Sequence, residues 1–113
     1  MKQFMLFLRE DLDEIRNTPE KESQRQIEIM VGWVEQLSKS GSFVSGEPLE
    51  PEYRIARKDE IIYDGPFIET KEAVSGYLII NAESLEQACE IAQGCPLIGM
   101  VVKSIEVRPV LKY

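Results

Sequence analysis

Two segments of this 113-residue chain are apolar at every position, which is typical of strands buried on both faces. Residues 4–8 have the sequence FMLFL, and residues 77–80 have the sequence YLII. Strands of this kind lie at the centre of a sheet, because both of their faces must be covered. The length fits one domain, residues 1–113, so a single sheet with two central strands is predicted.

A long helix is predicted from Pro19 to Lys39. Thr18 can cap its first turn, Pro19 suits the first helical position, and Gly41 follows its end. Its apolar stripe is formed by residues three and four positions apart: Ile27, Met30, Val34 and Leu37, with Val31 beside them. Trp33 falls outside this stripe and is expected to contact a cleft or a partner.

The remaining elements follow from periodicity and turn residues. They are a loop over residues 40–52, a hairpin of strands 53–58 and 61–63, a helix begun by a capping box of Ser84 and Gln87, and a last strand over 100–110. With the hairpin counted as one strand, the order is the split β-α-β layout of an α+β, ferredoxin-like subunit with an antiparallel sheet. Its two central strands would be the two doubly apolar segments.

Two helices can cover only one face of such a sheet, and the other face would then expose apolar side chains to water. A second copy of the same sheet is the simplest cover. The sequence therefore predicts a homodimer packed sheet to sheet, which would form a dimeric α/β barrel.

The composition excludes several classes of chemistry. The chain has no histidine, which removes Ser–His–Asp and Cys–His catalysis and histidine zinc sites. No metal-ligand or cofactor motif is present, so neither a metal nor a cofactor is predicted. The net charge of −7 and the absence of a basic run argue against a direct nucleic-acid partner.

The beginning of the chain carries an apolar run of only five residues, 4–8. This run is too short for a signal peptide or a membrane span, so a cytoplasmic protein with no membrane partner is expected. The two cysteines fit free thiols. Cys89 is predicted to lie in the core, whereas Cys95, after the second helix, can be exposed.

Residues 64–72, with the sequence DGPFIETKE, join the last strand of the hairpin to the second central strand. Asp64 is the candidate catalytic residue, as a general base in a cleft beside the dimer interface. The alternative, which is favoured, is architectural: Asp-Gly-Pro forms turns in which the aspartate accepts backbone amides.

Four further residues are candidates for ligand binding: Lys71, Glu72, Tyr77 and Arg108. Lys71 can hold an anionic ligand while a carboxylate such as Glu72 moves a proton, although such clusters are usually solvated. Arg108 can bind an anion bidentately or pair with Asp64 or a neighbouring carboxylate. Tyr77 is by default a core residue with a hydrogen-bonded hydroxyl.

Four blocks of sequence occur in order across nearly the whole chain: DGPFIETKE, SGYLII, QGCP and IEVRPV. Together they closely resemble the DGPF branch of the YCII-related (YciI-like) proteins. The resemblance implies a dimeric α/β barrel of ferredoxin-like subunits, with a cleft between helix, sheet and partner. Other DGPF proteins are encoded beside or fused to sigma factors, which implies an accessory or sensing role and a transcription or sigma-factor partner.

Some relatives are thought to use a His–Asp pair, and one branch dehydrohalogenates a chlorinated aromatic. This sequence departs from that pattern, because Ile29 and Met30 occupy the region of the histidine and residues 94–96 include no acid. Two function classes therefore remain. The favoured one is a module that binds an unknown small molecule. The alternative is a small lyase or isomerase that uses carboxylate and lysine acid–base chemistry on an aromatic or acidic metabolite.

Overall fold

The computed structural model describes residues 1–63 and 72–112. Nine elements follow one another: β1 (Lys2–Asp11), α1 (Leu12–Asn17), α2 (Glu20–Lys39), β2 (Phe43–Pro48), β3 (Arg54–Ala56), β4 (Ile61–Tyr63), β5 (Glu72–Ala82), α3 (Leu85–Gln93) and β6 (Val102–Pro109). The architecture is α+β with an antiparallel sheet, and it is compatible with a ferredoxin-like fold.

Four strands form the main sheet in the order β2-β5-β1-β6, and every neighbouring pair is antiparallel. The two central strands, β1 and β5, contain the two doubly apolar segments, so this prediction is confirmed. Strands β3 and β4 pair with each other as the predicted hairpin, but this hairpin is a separate two-stranded sheet and not, as expected, a strand of the main sheet.

The edge strand β2 differs from the prediction, which assigned residues 40–52 to a loop. Residues 43–48 pair with β5, from Phe43 opposite Ile80 to Pro48 opposite Gly76. The sequence of this strand contains Gly46 and Pro48, which are rare in central strands and tolerated at a sheet edge. The fourth strand of the main sheet is therefore β2, and the hairpin lies outside that sheet.

The helix ends follow local hydrogen bonds. Asp11 caps the short helix α1, which the sequence analysis missed, by accepting from the amides of Asp13 at 2.8 Å and Glu14 at 3.2 Å. Thr18 does not cap α2, because its hydroxyl donates to the carbonyl of Glu14 instead. At α3 the Ser84 hydroxyl accepts from the Gln87 amide at 3.1 Å, as predicted.

The core lies between one face of the main sheet and helices α2 and α3. On the sheet it is formed by alternate residues of the central strands: Phe4, Leu6, Leu8, Leu78, Ile80 and Ala82. Trp33 and Leu37 fill it from α2, and Ala88 and Ala92 from α3. We call this side the covered face.

Two predictions about burial were wrong. Trp33 is a core residue and only 6% exposed, whereas Ile27 and Val31 of the predicted stripe are each 50% exposed. The helix is thus turned so that its largest side chain enters the core. The cysteines are also reversed: both are free thiols, but Cys89 is exposed and Cys95 is buried.

The opposite side of the main sheet, which we call the open face, carries Met5, Phe7, Tyr77 and Ile79 at its centre. Met5 is opposite Ile79 and Phe7 is opposite Tyr77, so the four side chains share one side of the sheet. They are partly exposed, and none belongs to the core formed by the described residues. Arg9 and Glu106 form an ion pair of 2.6 Å on the same side.

Candidate functional site

A cleft of about 690 Å³ lies between α2 and the covered face of the sheet. Most of the side chains along it are apolar: Leu8, Ile15, Ile27, Met30, Val31, Val34, Phe43, Leu49, Leu78, Leu97, Val101 and Val102. Ile27 and Val31, which are half exposed, belong to this lining. Their side chains therefore face the cleft and not the core. A cleft of this volume is within the range of small-molecule sites.

The cleft exists because α2 packs into the core mainly through Trp33 and Leu37. The neighbouring side of the helix lines the cleft from Ser23 to Lys39, and Ile27 and Met30 belong to that side. Strands β2, β5 and β1 form the opposite wall through Phe43, Leu78 and Leu8.

Glu10 is a polar group in this apolar lining. It follows Phe4, Leu6 and Leu8 at alternate positions of β1 and, like Leu8, lines the cleft. The hydroxyl of Ser75, which also lines the cleft, donates to Oε2 of Glu10 at 2.5 Å.

Burial raises the pKa of the Glu10 carboxyl above its ordinary value, because the charged form is disfavoured away from water. The hydrogen bond from Ser75 acts in the opposite direction and favours the charged form. The negative charge of Glu14 raises the pKa further, and the positive charge of Lys103 lowers it. A carboxyl with a raised pKa in a cleft can accept or donate a proton nearer to neutral pH than an exposed one can.

Glu10 was not predicted as a site residue, although the sequence carries a signal for it. An acidic residue that continues the alternation of Phe4, Leu6 and Leu8 is predicted to face the same side as these core residues. An ionisable group at such a position marks either a strand end or a functional site.

Three other charged residues line the cleft. Glu35 and Lys39 belong to α2 and lie one helical turn apart, and Glu47 belongs to β2. Lys103 lies near Glu10 but outside the lining, and its ammonium group donates to Glu14 at 3.1 Å and to the carbonyl of Met100 at 3.0 Å. The described lining therefore has three carboxylates and one ammonium group.

The residues proposed from sequence do not converge on this cleft in the described structure. Asp64 and Lys71 lie outside the described residues. Glu72 is the exposed first residue of β5 and lies opposite Asp11 in the β1–β5 register. Arg108 lies opposite Met5 in the sheet. Met5 is six positions from Asp11 along β1, so Arg108 and Glu72 are about 20 Å apart along the strand direction.

Tyr77 and Arg108 share the open face, where Tyr77 is opposite Phe7 and Arg108 is opposite Met5. Arg108 is exposed and lies 3.9 Å from Glu106, the carboxylate that also binds Arg9. Tyr77 also borders the cleft, at the point where β5 pairs with Glu47. It is the one proposed residue of the described part that touches both surfaces.

Cys95 is buried below α2, where its Sγ lies 3.8 Å from Sδ of Met30. Burial raises the pKa of the Cys95 thiol, while contacts with the backbone of Leu97 and Ile98 lower it. A protonated, buried thiol is a poor nucleophile.

The described residues, 1–63 and 72–112, also bear on membrane insertion and metal binding. No helix in these ranges combines the length and apolarity needed to cross a membrane. No group of three or more cysteine, aspartate and glutamate residues in these ranges could hold a metal ion.

Comparison with known proteins gives the family. The model of the YCII-related domain matches residues 3–113, which is nearly the whole chain. The chain belongs to the YCII-related family. It is also 38% identical over 55 residues to an uncharacterized protein of Rhizobium meliloti. That match covers 49% of this chain and 44% of the relative, so the chain matches less than half of the relative's length.

Proposed function

We propose that this YCII-related protein is a small-ligand-binding or accessory module of the DGPF branch that works as a cytoplasmic homodimer. The observation that carries the proposal is the apolar cleft of about 690 Å³ with the partly buried Glu10–Ser75 pair in its lining. Apolar walls with a few polar groups are the usual composition of small-molecule sites. The apolar part supplies affinity, and the polar pair orients the ligand.

The open face supports the dimer. Met5, Phe7, Tyr77 and Ile79 form an apolar centre, and Arg9, Glu106 and Arg108 provide charges beside it. An apolar centre with a polar rim is the common arrangement of a protein interface. Two open faces packed together would give the dimeric α/β barrel. Tyr77 would then lie beside both the cleft and the interface, which brings the ligand site close to the second subunit.

The resemblance in residues 64–67 supports the DGPF branch and, with it, an accessory role beside a transcription or sigma-factor partner. Direct contact with nucleic acid is not part of the proposal, because the net charge of −7 repels phosphate.

The raised pKa of Glu10 favours a second candidate, a small lyase or isomerase. Glu10 would be its acid–base group, in addition to Asp64 and Lys71 from the sequence. The two candidates share the same cleft and differ in turnover. An enzyme with the substitution Glu10→Gln should still bind its substrate but lose turnover, whereas a binding module has no turnover to lose.

Ligand-observed NMR with a panel of small apolar fragments tests the binding proposal. Fragments should bind the wild type, and Val31→Trp should weaken them at least about tenfold by filling the cleft. Gln36→Trp, at an exposed position of α2 outside the cleft lining, is the matched control and should bind as the wild type does. Binding that is insensitive to Val31→Trp would place the ligands elsewhere.

A further inference from the structure

We infer that the cleft selects ligands by charge: it prefers an apolar molecule with an ammonium group over its hydroxyl analogue, and both over a carboxylate. This inference rests on the proposed ligand-binding function and specifies the ligand class of the same cleft. It departs from the sequence-based alternative, which includes acidic metabolites.

The first argument is the sign of the charges along the cleft. The described lining contains Glu10, Glu35 and Glu47 against Lys39. An anionic ligand would therefore enter a cleft with an excess of negative charge.

The second argument is that the positive groups near the cleft already have acidic neighbours. Lys39 follows Glu35 by four positions on α2, the spacing at which a glutamate and a following lysine interact favourably. Near Glu10, Lys103 forms its ion pair with Glu14 from α1. Lys103 is thus already paired, and Lys39 has a carboxylate one turn away on its own helix.

The third argument is the hydrogen bonding of Glu10. Its Oε2 accepts the hydroxyl proton of Ser75 from β5, whereas Oε1 accepts no hydrogen bond from the described residues. A partly buried carboxylate is stabilised when a donor replaces the water that it has lost. An ammonium group would do this most strongly, because a hydrogen bond between two charged groups is about twice as strong as a neutral one.

A neutral hydroxyl can donate to the same oxygen, but with less energy. A carboxylate ligand offers no donor when ionised and is repelled by Glu10, unless a proton is taken up between the two groups. The order of preference follows from these three cases.

Three probes of similar shape test the order: 2-phenylethylamine, 2-phenylethanol and phenylacetate. Their dissociation constants are measured by NMR titration with the wild type at pH 7.5 and low salt. We expect the amine to bind about tenfold more tightly than the alcohol, and phenylacetate to bind most weakly. Glu10→Gln, which keeps an acceptor for Ser75, should reduce the ratio of amine to alcohol to about two or less.

Glu90→Gln is the matched control, because it removes the same charge from an exposed position of α3 outside the cleft lining. It should keep the wild-type order. If phenylacetate binds as tightly as the amine, or if Glu10→Gln leaves the order unchanged, the charge preference is wrong while the binding proposal stands. If none of the three probes binds the wild type, both proposals fail.

Discussion

Glu10 occupies a position of β1 at which the preceding alternation has placed three core side chains. Its folded-state pKa is raised from the ordinary value of 4.5, so the folded protein holds this proton more tightly than the unfolded chain does. Stability therefore falls as the pH rises from the unfolded pKa through the folded pKa, and the ionised group remains a cost above both.

Glu10→Gln removes this cost and keeps the acceptor for Ser75. We expect the melting temperature to rise at pH 7.5 by no more than about 2 °C, because Glu10 is only partly buried, and to be unchanged at pH 3.5. Thermal unfolding at both values, followed by circular dichroism, measures the difference. Glu90→Gln should show no such dependence on pH. A loss of stability at pH 7.5 in Glu10→Gln would mean that the ionised carboxylate stabilises the fold.

The two cysteines give a second prediction for single residues. Cys89 is exposed on α3 and Cys95 is buried beside Met30, so a thiol reagent such as DTNB should modify one thiol rapidly and the second only after denaturation. Cys89→Ser should abolish the rapid phase, and Cys95→Ser should keep it. Two rapid phases in the wild type would contradict the burial of Cys95.

For single residues, the sequence was a better guide to pattern than to burial. Cys89 was expected in the core, but the buried residues of α3 are Ala88 and Ala92. An apolar stripe predicts which side of a helix faces the protein, but not which residues of that side are fully buried. In α2, Trp33 is buried, whereas Ile27 and Val31 line the cleft.

Strand β2 was predicted as a loop, and its sequence explains why. Its sequence FVSGEP has the Gly, Ser and Pro content of a loop, and only pairing with β5 makes it a strand. The central strands and both long helices could be predicted because their periodicity is local. The edge strand depends on a partner about 30 residues away, and the cleft depends on how α2 sits over the sheet.

The close approach of β2 to β5 gives a prediction at Gly46. A Cβ atom there would lie 2.6 Å from the carbonyl oxygen of Tyr77 and 3.1 Å from Cα of Leu78, both backbone atoms. Gly46→Ala should therefore destabilise the protein by about 1–3 kcal/mol. At Gly32 in α2 a Cβ meets nothing within 4 Å, and Gly32→Ala should stabilise by about 1 kcal/mol.

Urea unfolding of the two glycine variants and the wild type measures both changes under one set of conditions. The sign is the useful readout, because the same substitution is expected to act in opposite directions in a strand and in a helix. If Gly46→Ala is as stable as the wild type, β2 does not lie as close to β5 as the structure has it.

The covered face and the open face of the main sheet require different partners. The covered face is buried by α2 and α3, whereas Met5, Phe7, Tyr77 and Ile79 remain outside the core of the described residues. Four neighbouring apolar side chains on the two central strands would favour a second copy over water. We therefore expect light scattering to give the mass of a dimer at micromolar concentration.

Phe7→Asp should convert that dimer to a monomer, because it places a carboxylate at the centre of the open face and beside Glu106, its partner on β6. Ile27→Asp is the matched control: it makes a similar change at a half-exposed position on the side of α2 and should leave the dimer intact. Circular dichroism of both variants confirms that they are folded before their masses are compared.

A wild type that is a stable monomer would contradict the dimer directly, and the four apolar residues would then have to be buried by another partner. A dimer that dissociates in Ile27→Asp but not in Phe7→Asp would instead locate the interface on the helix side, across the cleft that we assign to the ligand.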